Sequence, residues 1–174
     1  MAAGAAPAPA STGGPTPASG IIEDGVHRFP VRVYFEDTDL SGIVYHANYL
    51  RYMERARSDL LRVVGIDQRT AFESGEGVYA VSEVQLKYLR PAKLDDDLVI
   101  ETCCLDLGGA SVRMGQRILR VSGSGLDLPV PELLVPELLV DASVRAGFLT
   151  PAGRPRRQPA AWIDAFKGLL PAGN

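Results

Sequence analysis

YFEDTDLSGIVYHANYLRYMERAR, residues Tyr34 to Arg57, runs an acidic turn, a glycine and a histidine directly into a helix. Glu36 to Gly42 is rich in Asp, Thr, Ser and Gly, whose short side chains bond their own backbone and bend the chain. Beyond it Tyr49, Met53, Ala56, Leu60 and Val64 recur every three or four residues, one face of a helix starting near Ala47. Gly65 is its expected stop. The pattern sets a carboxylate beside a helix N-terminus. A carboxylate can act as base or nucleophile, and free helix N–H groups hold negative charge developing on a carbonyl oxygen, so the pair points to acyl-transfer chemistry.

Working outward, Val26 to Phe35 alternates as VHRFPVRVYF and reads as a first strand. Downstream, after a short and partly helical Arg69–Glu76 connection, four strand-like runs follow: Val78–Leu89, Leu98–Leu107, Ser111–Val121 and Leu133–Phe148. Asp106-Leu107-Gly108-Gly109 reads as a hairpin. The order is one strand, a long helix, then an antiparallel meander of four strands, so an α+β fold is expected, with a curved sheet wrapped around the helix. Ala160–Leu170, AAWIDAFKGLL, reads as a short amphipathic helix docking Trp162 and Phe166. VPELL occurs at Val130–Leu134 and again at Val135–Leu139, where Pro131 and Pro136 remove ladder donors. This repeat reads as an insertion lengthening the loop before the last strand.

A chain of 174 residues suits one domain. Residues 1–25, dominated at their start by Ala, Pro, Gly, Ser and Thr, read as a disordered tail, and residues 26–170 as the domain. A net charge of -3 supplies no global basic field for nucleic acid or an anionic membrane. No apolar run reaches membrane-spanning length. Cys103 and Cys104 are adjacent and point to opposite faces of a strand, which suits two reduced thiols and a cytoplasmic location. With only His27 and His46 as histidines, no Cys/His spacing matches a zinc site, and neither metal nor other cofactor is expected.

The motif EDTDLSGIVYHANYLRYMERAR resembles hotdog-fold acyl-CoA thioesterases of the 4-hydroxybenzoyl-CoA thioesterase type, most closely the Tol-Pal-associated YbgC branch. The resemblance continues in VQLKYLRPAKLDDDLVIET at Val84–Thr102 and VDASVRAGFLTPAGRPRRQP at Val140–Pro159. It implies a five-stranded antiparallel sheet around a long central helix, and a homodimer or tetramer whose active sites lie where subunits meet edge to edge. Carried over by position, Asp39 matches the catalytic aspartate, acting as nucleophile or general base, with Asp37 its neighbour. His46 matches the helix-start position whose backbone N–H faces the thioester oxygen, and its ring is a second candidate group.

Around these two, Gly42, Tyr45 and Asn48 are candidate substrate-binding positions at the turn and helix start, and Thr38 is placed to steady Asp39. Lys87 and Arg90 beside the YLRPAKL turn, and Arg156 in the cluster Arg154, Arg156, Arg157, are candidate phosphate contacts. The resemblance implies acyl-CoA as the partner, with aliphatic acyl groups fitting the YbgC branch better than an aromatic one. An acyl carrier protein is the alternative donor. A third reading, from another class, is a hotdog protein that binds partners without catalysis; a carboxylate at the thioester position argues against it.

Overall fold

The helix expected from the three-and-four spacing is α1, His46–Val63. The structure, a computed structural model, describes residues 17–122 and 136–170. Residues 1–16 of the tail and the first VPELL copy lie outside the described residues. Tyr49, Tyr52, Met53, Ala56 and Leu60 of α1 are buried, and a large apolar side chain such as Met53 or Leu60 contributes about 1.5–3 kcal/mol. Gly65, at φ +79°, ends the helix: its conformation lets the Ile66 N–H turn back onto the Leu61 carbonyl at 2.8 Å, capping an open acceptor.

Among the described residues six strands form one antiparallel sheet: β1 Ile21–Glu23, β2 Val26–Arg32, β3 Val78–Tyr88, β4 Asp97–Leu107, β5 Ser111–Ser122 and β6 Glu137–Leu149. Their order across the sheet is β1-β2-β4-β5-β6-β3. Two expectations are corrected here. The sheet has six strands rather than five, because Ile21–Glu23, assigned to the tail from composition, folds back on Val26–Arg28. The two-residue loop between them is Asp24-Gly25, both at positive φ (51° and 74°), the backbone of a tight hairpin turn whose twist matches the strands.

The second correction concerns order. β3 is not the first strand of a meander; only β4, β5 and β6 follow one another, while β3 lies at the far edge against β6. The PAKLDDD segment carries the chain across to β4, held by hydrogen bonds from the Val44 N–H to the Ala92 carbonyl (2.9 Å) and from the Ala92 N–H to the Tyr49 hydroxyl (2.9 Å). α1 packs on β2 and β4. A short helix α2, Gln68–Glu73, is capped by the Asp67 carboxylate accepting from the Thr70 N–H. α3, Ala160–Lys167, buries Phe166, and Trp162 packs its ring 5.6 Å from Tyr79 and 5.3 Å from Phe148, as its apolar face predicts.

The core has two apolar clusters. One gathers Tyr49, Tyr52 and Met53 over Leu98, Ile100, Ile118 and Leu139; the other gathers Leu60, Leu61 and Phe166 over Cys104, Val112 and Met114. Along β4 and β5 the two are separated by Thr102 and Gln116, buried polar residues bonded to each other at 3.0 Å. Among the described residues no helix is long and apolar enough to cross a membrane.

Candidate active site

The turn before α1 is closed by its own backbone. The Asp39 N–H donates to the Ile43 carbonyl (3.1 Å), the Gly42 N–H donates to the Asp39 carbonyl (3.0 Å), and Thr38 bridges Val44. Gly42 sits at φ +75°, and nothing lies within 4 Å of where a Cβ would be. Backbone conformation alone therefore demands glycine at this position. Gly42→Ala is expected to lose about 1–2 kcal/mol of stability, read as a lower midpoint in urea unfolding.

The two acids of the turn have different surroundings. Asp37 is buried; its carboxylate accepts from the Tyr34 N–H (2.8 Å), and its carbonyl accepts from the Tyr45 N–H and the Asn48 amide, both at 2.9 Å. Asp37 is thus bound into the turn that aims the helix. Asp39 is exposed. Its Oδ1 accepts both the Ser41 N–H (2.8 Å) and the Ser41 hydroxyl, while Oδ2 makes no hydrogen bond among the described residues. The Ser41 hydroxyl first, and then the Ser41 N–H, hold the Asp39 carboxyl below the ordinary carboxylate range, with a smaller contribution from His46. One oxygen is anchored and the other is open, on a group that stays ionised at neutral pH.

His46 is the first residue of α1. The N–H groups of His46 and Ala47 have no acceptor among the described residues, so the positive end of the helix is open at this point. The His46 ring lies against Tyr45 (4.4 Å between centroids) and edge-on to Tyr88 (6.4 Å), and the Tyr88 hydroxyl donates to the His46 carbonyl at 2.9 Å. A cavity of about 300 Å³ opens beside it, lined by Ile43, His46, Tyr49, Tyr88, Leu89 and Arg90.

The structure brings Asp39, Gly42, Tyr45, His46 and Arg90 to this end of the molecule, with Arg90 also paired to Glu137 (3.2 Å). Asn48 is buried, and its amide donates to the Asp37 carbonyl, so within one chain it supports the turn. Lys87 pairs across the sheet with Asp141 on the face away from α1, since its neighbour Tyr88 pairs with buried Val140 on the helix face. Arg156 lies at the other end of β3, donating to the Glu76 carbonyl at 2.6 Å. Within one chain neither Lys87 nor Arg156 joins Asp39. Ser41 and Tyr88 were not singled out from sequence. The Asp-x-Ser spacing, which lets a carboxylate accept from the N–H two residues on, was the available signal for Ser41; nothing local marked Tyr88.

A family model described as the thioesterase superfamily matches residues 41–125. The acyl-CoA thioester hydrolase YbgC of Escherichia coli O6:H1 is 35% identical over 141 residues, covering 80% of this chain and 95% of that protein. The chain belongs to the thioesterase superfamily. Another relative of this superfamily member, the acyl-CoA thioesterase YbgC of Haemophilus influenzae, is 43% identical over 97 residues, 56% of this chain and 71% of that one. Among solved structures, a probable thioesterase from Bartonella henselae superposes with a TM-score of 0.65 at 36% identity, covering 77% of this chain and 99% of that one. The sheet around a central helix is the hotdog fold, as the sequence resemblance implied.

Proposed function

We propose that this chain hydrolyses acyl-CoA thioesters to the free acid and CoA. The observation that carries the reading is Asp39, with Oδ1 held by Ser41 and Oδ2 open, on a turn that leads into the free N–H groups of His46 and Ala47. In one route Oδ2 takes a proton from water as the water oxygen attacks the thioester carbon. In the other Oδ2 attacks directly and the resulting anhydride is hydrolysed. Both routes put negative charge on the carbonyl oxygen, which the helix-start N–H groups stabilise, and both expel the CoA thiolate, which then takes up a proton.

The working unit is a dimer paired through β3. This strand is an eleven-residue edge whose outer ladder side is unpaired among the described residues, and exposed apolar residues cluster near the site, Phe35 at 82% and Leu40 fully accessible. Antiparallel pairing about a two-fold axis would carry Arg156 of the partner subunit from the far end of β3 toward Tyr88, within reach of a CoA phosphate. The free thiols Cys103 and Cys104 suit a cytoplasmic setting.

The test is thiol release from a panel of acyl-CoA esters, aliphatic and aromatic, run beside the same acyl groups on a carrier protein. Turnover of CoA esters well above the rate in buffer is expected. Preference for carrier-bound substrates would move the assignment to an acyl-carrier-protein thioesterase, and a panel inert with both donors would overturn hydrolysis altogether.

A further inference from the structure

Two N–H groups are open at the start of α1, and each belongs to a peptide group whose carbonyl is occupied. The Asn48 N–H is closed on the Tyr45 carbonyl at 2.8 Å, which leaves His46 and Ala47 without an acceptor among the described residues. A peptide is one conjugated unit, so a donor placed on its carbonyl draws electrons from nitrogen and makes the N–H at the other end more positive. The peptide that presents the His46 N–H carries the Tyr45 carbonyl, and Asn48 donates to it. The peptide that presents the Ala47 N–H carries the His46 carbonyl, and the Tyr88 hydroxyl donates to that one at 2.9 Å. Helical bonding gives the His46 carbonyl the Leu50 N–H as well, so Tyr88 occupies its second lone pair.

Tyr88 is the last residue of β3, and β6 holds it in place. It pairs with Val140, and just beyond it the Leu89 N–H (2.8 Å) and the Arg90 N–H (3.2 Å) both donate to the Leu139 carbonyl. Leu139 and Val140 are fully buried, so the anchor is part of the close-packed core. The Tyr88 ring stands 5.6 Å from the ring of Tyr49, itself buried and tied to the crossover by accepting from the Ala92 N–H. Tyr88 is half exposed. Its hydroxyl can be satisfied by water, and a bond to a carbonyl that already has a helical partner adds little to folding. The consequence of the contact falls on the peptide that it touches.

We infer that Tyr88 is a positioning residue for hydrolysis: its hydroxyl fixes and polarises the peptide between His46 and Ala47, so that the Ala47 N–H holds the thioester oxygen more tightly as charge develops there. This rests on the thioesterase reading and deepens it. A more positive N–H gains most when the oxygen carries its full charge, so the effect belongs to the transition state and appears in kcat rather than in KM. Loss of a whole oxyanion donor costs about 10²–10³ in rate, and a neighbouring bond strengthens a hydrogen bond by about 10–30%. That fraction of the exponent gives the Tyr88 hydroxyl about two- to eightfold in rate.

Tyr88→Phe keeps the ring and removes the hydroxyl. With acyl-CoA esters it is expected to lower kcat about two- to eightfold and to leave KM unchanged. In amide NMR spectra of the free protein the Ala47 proton is expected to move upfield, because a less polarised N–H is more shielded while the ring current stays with the ring. 3-Fluorotyrosine at position 88, a stronger donor, is expected to hold kcat at or above the wild-type value. An active wild type whose Tyr88→Phe variant keeps full kcat, or changes only in KM, would overturn the inference, and so would an unmoved Ala47 resonance. If Tyr88→Phe fails to fold, the rate and the Ala47 shift of the 3-fluorotyrosine protein decide. A wild type inert toward every ester would sink the thioesterase reading, while the Ala47 shift, read without substrate, would still decide whether Tyr88 polarises the peptide.

Discussion

Asp39→Asn is expected to lower acyl-CoA turnover about a thousandfold while leaving the fold and subunit pairing intact. The substitution keeps an oxygen to accept from Ser41, so the turn retains its shape. It removes the charge from Oδ2, the open oxygen on which the proposed chemistry rests. Neither route to hydrolysis survives that change, because an amide is a poor base and a poor nucleophile at neutral pH. Asp37→Asn separates the two acids. Its cost should appear mainly in stability, since the Asp37 carboxylate is buried against the Tyr34 N–H. Steady-state kinetics and size-exclusion chromatography on the two variants check the assignment; an Asp39→Asn enzyme at full rate would remove Asp39 from the chemistry.

The second large effect is on stability. Asp59, on the buried side of α1, accepts from the Gly20 N–H (2.7 Å), the Ser19 hydroxyl (3.0 Å) and His27 Nε2 (2.9 Å), and so ties the N-terminal hairpin to the helix. Asp59→Ala leaves these donors without their acceptor and is expected to cost on the order of 3 kcal/mol. Burial is the largest single influence on the Asp59 carboxyl and pushes it up, but the bonds from Gly20, His27 and Ser19 together outweigh it and hold it below 3.8. His27 is fully buried, its Nδ1 has no partner among the described residues, and burial outweighs the attraction of Asp59 to hold it below 6.5.

The signs for both groups run the same way. Each favours its deprotonated form in the folded chain, so each contributes stability that is complete above its unfolded value and is lost as pH falls through its folded one. The melting temperature should therefore decline in two stages, first below 6.5 through His27 and again below 3.8 through Asp59. A melting temperature that stays flat as pH is lowered from about 7 to about 5 would overturn the neutral buried state of His27.

Much of this was legible in the residues. The spacing of Tyr49, Met53, Ala56 and Leu60 specifies one helix face because packing on a sheet repeats at the helical period. Gly65 stops that helix through backbone conformation, a strictly local property. The Asp39 turn was legible for the same reason. β1 was not foreseen because composition, averaged over the tail, hid Asp24-Gly25, a two-residue hairpin signal in plain view. The position of β3 was not local at all: its alternation says that one face is apolar, and says nothing about which strand it will pair with. The places of Lys87 and Arg156 within one chain were not local either. They were grouped with the site by charge and sequence neighbourhood, while the register turns Lys87 to the opposite face and puts Arg156 at the opposite end.

The crossover that sends β3 to the far edge also sets a timetable. During synthesis Tyr88 emerges soon after the Asp39 turn and α1, but the only strand that β3 pairs with among the described residues begins at Glu137. Until that late strand arrives, the tyrosine that braces the helix start has no sheet to stand on. A growing chain therefore carries the Asp39 turn and α1 well before β3 has its partner, and the last strand among the described residues is the one that seats Tyr88.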